Sequence, residues 1–242
     1  MLGAGYAVRP VEEHFLSPSS VSPVLLLRHD VDQAPRSALA MSAVEQRVGV
    51  RSSWYVRWRT ADPALLRELR LRGGTIGLHY ETLSRRTLAG VAPEAVPLDA
   101  CREELKAEIG QFTERFGPIR SVCAHGDTRA PSVRNWTLLE ATDPTEVGVE
   151  LDLDQALRGA RLGAWLSDRS RAEGGWKPGL DPTELIEGGV SPLLCLTHPN
   201  NWISGGALWR DRILAAALPA PSGKPVRVMR TGSDAPPGQA PR

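Results

Sequence analysis

Short apolar runs and stretches of helical spacing alternate along the chain. An apolar run of about four to eight residues, bounded by polar or turn-forming residues, is typical of a buried strand. Apolar residues at every third or fourth position predict a helix instead, as at Met41, Val44 and Val48. Strands are predicted at residues 24–27, 51–58, 75–78, 119–124, 160–167 and 192–197. Helices are predicted at residues 35–50, 62–74, 101–116, 131–141, 181–189 and 208–218.

The alternation of buried strands with amphipathic helices predicts an α/β fold built on a parallel sheet. The pattern is compatible with either a barrel or an open sheet. Residues 85–97 lack a clear period and are predicted to form a loop beside the cleft. Residues 1–218 are assigned to one domain. Residues 219–242 are rich in Pro, Gly and Ser and are predicted to be a disordered tail.

The composition excludes several classes of partner. The 29 basic and 28 acidic residues give a formal net charge of +1, so no surface for nucleic acid is indicated. No apolar run approaches the length of a membrane span, and no secretory signal is recognisable. The three cysteines fit neither a zinc knuckle nor a disulfide framework and are interpreted as core residues of a cytoplasmic protein. The glycine-rich motifs that bind dinucleotides or nucleotide phosphates are absent.

Four of the five histidines follow the carboxyl ends of predicted strands. His29, His79, His125 and His198 each lie within two residues of such an end. In parallel α/β folds the loops at this edge converge and form binding sites. One histidine there is more often a satisfied polar residue in a turn, but four at one edge indicate a shared site. His14 lies in a segment without a strand signal and is given no role.

Asp30 and Asp32 follow the first strand at alternate positions, so both point to the same side of an extended chain. Neighbouring carboxylates repel each other, and a divalent cation with imidazole ligands removes the repulsion. One carboxylate can then bind the metal while the other acts as general base on a metal-bound water. The alternative is structural: Asp30 pairs with Arg28, and Asp32 caps the helix that begins near Ala34.

Five segments carry a resemblance to a known family. They are RHDVD (28–32), IGLHYETL (76–83), SVCAHGD (121–127), WLSDRSRAEGGW (165–176) and LCLTHPNNW (194–202). Together they resemble the polysaccharide deacetylases, carbohydrate esterase family 4, which have the NodB-homology fold. The resemblance implies a distorted (β/α) barrel in a single domain. It also implies that Asp30 is the general base, that His198 is the general acid, and that Asp32 and His79 bind a metal ion.

Further residues of these segments are assigned to the substrate cleft. Asp168 and Trp176 lie where the family has a tuning carboxylate and a pocket aromatic residue. Tyr80 and Trp202 flank the same motifs and are interpreted as cleft walls, with packing in the core as the alternative. The basic residues of SRR (84–86) are compatible with contact to an anionic substrate or with a solvated surface.

The chain departs from the family at Leu83, where the family has its second metal histidine. His125 is the first choice as a replacement, because it follows a strand at the same edge and Gly126 permits close approach. His29, Glu81 and a water molecule are the other candidates. Imidazole and carboxylate ligands favour zinc, although such sites also accept cobalt, nickel or iron.

A second departure is AHGD (124–127), where the family has an Arg-Pro-Pro-Tyr-like motif, so the resemblance is to a divergent branch. Asp127 within it is a candidate to orient His125, or a solvated loop residue. The expected function is metal-dependent hydrolysis of a non-peptide C–N bond, removing the acyl group of an N-acyl amino sugar. The expected substrate partner is a carbohydrate or a nucleotide- or lipid-linked sugar. The alternatives are a non-catalytic carbohydrate-binding or assembly protein on a degenerate scaffold, and hydrolysis of a cyclic amide or phosphoester.

Overall fold

The computed structural model describes residues 2–18, 23–168 and 176–203. The described residues form one sheet in which every pairing between neighbouring strands is parallel. Its eight strands are β1 (Ala7–Pro10), β2 (Val24–Val31), β3 (Ser53–Val56), β4 (Thr75–Tyr80), β5 (Ser121–Ala124), β6 (Leu151–Asp152), β7 (Ala164–Ser167) and β8 (Leu193–Thr197).

The strand order is β6-β5-β4-β3-β2-β8-β7, and β1 also pairs with β2. The long strand β2 is central: its first half pairs with β1, its second half pairs with β3, and β8 lies along its other side. The sheet curls into a half-barrel, and within the described residues its edge strands β6 and β7 do not pair with each other. The predicted α/β fold of the distorted (β/α) barrel type is therefore confirmed.

The described helices cover the sheet and join its strands. They are α1 (Val11–Leu16), α2 (Pro35–Arg47), α3 (Pro63–Leu71), α4 (Thr82–Leu88), α5 (Leu98–Phe116), α6 (Leu153–Gly159), α7 (Pro182–Glu187) and α8 (Pro199–Trp202). The Asp-Pro starts predicted from sequence are confirmed in two of them. Asp62 accepts hydrogen bonds from the backbone amides of Ala64 and Leu65 at the start of α3, and Asp181 accepts one from the backbone amide of Thr183 at the start of α7.

Alternation along the strands sorts side chains onto two faces of the curled sheet. The outer face packs against α2–α5 and carries the largest apolar core, which includes Trp54, Leu78 and Phe112. The inner face holds a smaller cluster that includes Leu26 and Tyr55. Arg28 and Asp30 occupy the next two inner positions of β2 after Leu26. The alternation that buries the inner cluster therefore also directs these two charged side chains into the mouth of the half-barrel.

Gly77 keeps the inner face open beside Tyr55. A Cβ atom at this position would collide with the Tyr55 ring and lie 2.9 Å from the carbonyl oxygen of Ser121. The glycine therefore lets the Tyr55 ring lie across β4, where its hydroxyl donates a hydrogen bond to the Ser121 hydroxyl. This packing supports the segment that leads to His79.

Two predicted elements are wrong. Residues 85–97 were expected to be a loop, but α4 continues to Leu88 because Leu83 and Ser84 are buried and fix its first turn against the core. Residues 131–141 were expected to be a helix, but only a short 3₁₀ turn forms at Asn135–Leu138. The Asn135 side chain bonds to Ser84 and to the His125 carbonyl oxygen, which ties this segment to two other elements.

Five of the described helices and strands had no clear signal in the sequence, namely β1, α1, β6, α6 and α8. The three cysteines are free; Cys101 and Cys123 are buried, and Cys195 is half-buried. The predicted helix at 208–218 and the predicted tail at 219–242 lie outside the described residues. No helix in the described part of the chain combines the length and apolarity needed to cross a membrane.

Candidate metal centre

Five ionisable side chains meet at the carboxyl edge of the sheet. Asp30 lies near the end of β2 and His79 near the end of β4. Asp32, His125 and His198 follow the ends of β2, β5 and β8 by one residue each. Because the strands are parallel, all these ends open toward the mouth of the half-barrel.

Asp32, His79 and His125 form a compact group that can hold a metal ion. One ligand atom from each side chain lies within 4.8 Å of the others. Asp32 Oδ1 is 3.5 Å from His79 Nε2, and Asp32 Oδ2 is 3.5 Å from His125 Nε2. Ligands of a tetrahedral zinc ion with bonds of about 2.0–2.1 Å would be about 3.3 Å apart, so these separations suit such an ion.

Unsatisfied polar atoms support this fit. Among the described residues, Asp32 Oδ1 and His125 Nδ1 are buried without a hydrogen-bond partner. A buried carboxylate oxygen without a donor carries a desolvation cost, and a cation would remove it. His79 Nδ1 lies 2.9 Å from the backbone oxygen of Cys123 and donates to it, which leaves Nε2 with its lone pair facing Asp32.

The electrostatics keep the group in its ligand forms. Burial lowers the pKa of His79 and outweighs the nearby Asp30 and Asp32 charges, which favours the neutral ring that binds metals. Burial would raise the pKa of Asp32, but its interactions with the rings of His125, His79 and His198 hold it below its usual range. The neutral ring of His79 therefore faces an ionised carboxylate.

Asp30 lies beside this group and is held by Arg28. Nε and one terminal nitrogen of Arg28 donate to the two oxygens of Asp30, each at 2.7 Å, and both residues are almost fully buried. Burial would raise the pKa of Asp30, but Arg28 and then His79 hold it below its usual value. Asp30 Oδ2 also lies 3.4 Å from His79 Nε2. Asp30 is thus an ionised carboxylate that faces the group without belonging to it.

Of the two structural roles considered for Asp30 and Asp32, an ion pair with Arg28 and a helix cap, only the ion pair is present. The expected pair between Asp30 and Arg28 is present. Asp32 does not cap α2, because Ala34 occupies the N-cap position with φ of 45° and no side chain accepts a hydrogen bond there. The Asp32 carboxylate faces the imidazoles instead.

His198 is oriented by Asp168. Its Nδ1 donates to Asp168 Oδ1 at 2.6 Å, and its backbone amide donates to Asp168 Oδ2 at 2.8 Å. Its other ring nitrogen, Nε2, lies 3.7 Å from Asp32 Oδ2. Burial would lower the pKa of His198, but the hydrogen bond and charge of Asp168 and the charge of Asp30 raise it above its ordinary value. The protonated form is therefore favoured.

Two tryptophans stand next to this pair. The indole nitrogen of Trp202 donates to Asp168 Oδ2 at 2.8 Å, and the Trp176 ring packs against Trp202 with centroids 5.6 Å apart. Both rings are partly exposed. Residues 169–175 of the predicted cleft segment lie outside the described residues.

Glu81 and Asp127 flank His125, and each is paired with an arginine. Glu81 Oε2 lies 3.4 Å from His125 Nδ1 and also accepts a hydrogen bond from the buried Arg57. Asp127 accepts hydrogen bonds from the Arg129 side chain on both of its oxygens. The sequence does not single out Arg57, because it lies within a mostly aromatic segment and belongs to none of the motifs.

His29 and Tyr80 lie apart from the group. His29 contacts Thr197 through Nδ1 and Glu45 of α2 through Nε2, at 2.5 and 2.6 Å, on the outer face of β2. Tyr80 is fully buried in the outer core, and its hydroxyl donates to the Asn135 carbonyl oxygen. Successive side chains of a strand point to opposite faces. Because Asp30 and His79 point inward, their neighbours His29 and Tyr80 point outward, away from the site.

The basic residues of the SRR segment are occupied by carboxylates of α5. Arg85 pairs with Glu104 and Glu108, and Arg86 pairs with Glu104. Leu83 is 3% exposed and belongs to the apolar core. The position at which the family has its second histidine therefore faces away from the mouth, and His125 reaches the group from β5.

No protein-family model and no curated protein matches the chain. The chain is similar to solved structures of family 4 carbohydrate esterases. One is the enzyme from Streptomyces lividans, with 14% identity, 79% of this chain and 84% of that chain covered, and a TM-score of 0.40. The chitin deacetylase of Colletotrichum lindemuthianum has 12% identity, 80% coverage of each chain and a TM-score of 0.42. A family 4 pseudoenzyme from Bacillus anthracis has 10% identity, 80% and 59% coverage, and a TM-score of 0.45.

Proposed function

We propose that the protein is a metal-dependent hydrolase of non-peptide C–N bonds that removes the acyl group of an N-acyl amino sugar. The observation that supports this best is the group of Asp32, His79 and His125, with Asp30 and His198 on either side of it. The substrate is a saccharide, free or linked to a nucleotide or lipid. The cytoplasm is the proposed compartment, because the three cysteines are free thiols.

Asp32, His79 and His125 are the proposed ligands of a divalent cation, with zinc as the first choice. Such a cation supplies Lewis-acid polarisation of the amide carbonyl and lowers the pKa of bound water. The chain contributes a ligand oxygen, Asp32 Oδ1, that is buried without a hydrogen-bond partner among the described residues. His79 is held for this role by its hydrogen bond to the backbone of β5.

Asp30 is the proposed general base. It is ionised, because Arg28 neutralises the cost of its burial, and its Oδ2 faces the ligand histidine His79. The two hydrogen bonds from Arg28 hold the carboxylate in one orientation while it accepts a proton from water. Arg28 therefore acts as a positioning residue for the base.

His198 is the proposed general acid. Its Nδ1 proton is committed to Asp168, so Nε2 is the nitrogen that gives its proton to the departing amine. Asp168 raises the pKa of His198 and fixes the ring plane. The partly exposed rings of Trp176 and Trp202 lie beside this acid, where an aromatic face can pack against a sugar ring.

The proposal is tested with metal analysis and acyl release together. The purified protein should contain one divalent metal per chain, and His79→Ala and Asp32→Ala should each remove it. The metal-loaded protein should release acyl groups from members of a panel of free, nucleotide-linked and lipid-linked N-acyl amino sugars. Asp30→Asn should lower the rate by about 10²–10⁴-fold while the metal is retained. His14→Ala, which changes a histidine of α1 that belongs to neither the proposed ligands nor the proposed acid and base, is the matched control.

Two results would contradict the proposal. Activity that survives Asp30→Asn at the wild-type rate would exclude Asp30 as the base. A protein that takes up no metal, whether or not His79 is replaced, would favour the non-catalytic carbohydrate-binding alternative, which saccharide binding without acyl release would then support. Release from cyclic amides or phosphoesters but from no amino sugar would keep the site and change the bond.

A further inference from the structure

The backbone of His125 is fixed on two sides, which leaves its ring orientation to the side chains around it. The His125 amide donates to the Tyr80 carbonyl oxygen at 2.8 Å, and its own carbonyl accepts from the Asn135 side chain at 2.7 Å. The ring then lies between two carboxylates. Nε2 is 3.5 Å from Asp32 Oδ2, and Nδ1 is 3.4 Å from Glu81 Oε2.

Glu81 is itself held in place by a buried arginine. Arg57, which follows β3, donates to Glu81 Oε2, and its side chain is only 3% exposed. The Glu81 side chain is 17% exposed. The same carboxylate oxygen therefore lies against a fixed cation and against the unpartnered Nδ1 of His125. Arg57 thus fixes the position of the carboxylate oxygen that faces the His125 ring.

We propose that Glu81 and Arg57 are positioning residues that make His125 a metal ligand through Nε2. A neutral imidazole carries one N–H donor and one lone pair. If Nδ1–H points at Glu81, the lone pair is on Nε2 and faces Asp32. Metal-binding histidines commonly donate their second nitrogen to a carboxylate in this way. The inference rests on the proposed metal centre. It explains how Glu81 and Arg57 hold His125, which follows β5, at a site that the buried Leu83 does not reach.

The arrangement argues against Glu81 as a direct ligand. Glu81, His125 and Asp127 form a second group with closely spaced ligand atoms. Both carboxylates of that group are already paired, Glu81 with Arg57 and Asp127 with Arg129. Asp32 Oδ1 has no hydrogen-bond partner, and no arginine or lysine among the described residues pairs with this carboxylate. A cation therefore gains more on the Asp32 side of His125.

The experiment compares Glu81→Ala and Glu81→Gln with the matched control Asp127→Asn. Affinity and stoichiometry for Zn²⁺ and Co²⁺ are measured by competition with a chromogenic chelator. The tautomer of His125 in the metal-free protein is measured from the ¹⁵N shifts of its ring. Circular dichroism and thermal unfolding establish that each variant is folded.

Glu81→Ala should keep one metal per chain and weaken its affinity by about 10–100-fold, with loss of the Nδ1–H preference of the His125 ring. Glu81→Gln should weaken affinity less, because its amide oxygen can still accept the Nδ1–H bond. Arg57→Gln should change affinity and tautomer in the same direction as Glu81→Ala. Asp127→Asn removes the same charge from the other flank of His125 and should change neither.

Wild-type affinity and an unchanged ring tautomer in Glu81→Ala would overturn the inference, while metal binding by the wild type would leave the proposed function standing. Loss of stoichiometric binding in Glu81→Ala would make Glu81 a ligand and would also overturn it. Equal losses of metal affinity in Glu81→Gln and Asp127→Asn would indicate a general effect of removing negative charge near His125, and would also overturn the inference. If the wild type binds no metal, the proposed function fails, and the tautomer of the metal-free ring still decides the role of Glu81.

Discussion

Replacement of Arg28 by methionine separates the ion pair with Asp30 from the packing around it. Arg28 is 6% exposed and Asp30 is 3% exposed, and two hydrogen bonds of 2.7 Å join them. Arg28 also lies over the Tyr55 ring, 5.2 Å from its centroid. Methionine retains much of the aliphatic volume and the contact with the ring, but it leaves a buried carboxylate without its cation.

The expected loss is large because the partner charge stays buried. Removing one member of a buried ion pair costs about 3–5 kcal/mol, whereas an exposed pair contributes about 0–1 kcal/mol. For a domain of about 150–250 residues, each kcal/mol corresponds to about 2–4 °C in Tm. Arg28→Met should therefore lower Tm by about 6–20 °C in the metal-free protein. Arg28→Met with Asp30→Asn should recover part of this loss, because the uncompensated charge is gone.

Thermal and urea unfolding of the chelator-treated protein provide the measurement. The matched control is Arg120→Met. Arg120 makes the same two-point hydrogen bond to Glu150, at 2.7 and 2.8 Å, but both side chains are about half exposed. This control should change the free energy of unfolding by less than about 1 kcal/mol. Equal effects of the two arginine substitutions, or no recovery in the double variant, would refute the reasoning from burial.

Three further predictions concern the sheet, the pH dependence and the metal. Gly77→Ala should destabilise the fold by about 1–3 kcal/mol, because its Cβ collides with Tyr55, whereas Gly110→Ala, in open space on α5, should be neutral or stabilising in the same urea titration. Burial and then Asp154 raise the pKa of Asp152 from 3.8 to about 7. The folded state therefore keeps a proton that the unfolded state loses between about pH 4 and 7, and stability should fall by up to about 4 kcal/mol across that window. Asp152→Asn should flatten this slope; an unchanged slope would exclude Asp152 as its source. Zn²⁺ at about 100 times its Kd should stabilise the wild type by about 2.7 kcal/mol but leave the Tm of His79→Ala unchanged, and an equal shift in both would place the ion elsewhere.

The sequence predicted the fold class and the convergence of four strand ends because both follow from strong local signals. Buried strands such as β2 and β8 are continuous apolar runs, and parallel strands bring their carboxyl ends to one edge. The same period-two rule places His29 on the outer face once Asp30 is assigned to the inner face. His29 is adjacent to Asp30 in sequence, but adjacent residues of a strand point to opposite faces, so it does not reach the site.

The parts that the sequence did not predict depend on tertiary contacts. Segment 131–141 has an apolar pattern close to that of a helix. The Asn135 side chain, however, hydrogen-bonds to the backbone of Ser84 and His125 and holds the chain in a turn. The helix α4 forms across a segment interpreted as a loop because Leu83 is anchored in the core. No local pattern reports that Arg57 and Glu81, which are 24 positions apart, form a buried pair.

Charge pairing around the mouth of the half-barrel explains why one carboxylate is the natural place for a cation. Asp30, Glu81 and Asp127 each pair with an arginine, and Asp168 pairs with His198. In the part of the chain that the structure describes, Asp32 has no lysine or arginine partner for its carboxylate and faces three imidazoles at 3.5–3.7 Å instead. A divalent cation would compensate this buried negative charge more strongly than imidazole rings do. Because Asp30, Glu81 and Asp127 already pair with arginines, Asp32 is the carboxylate at which we propose that a divalent ion binds.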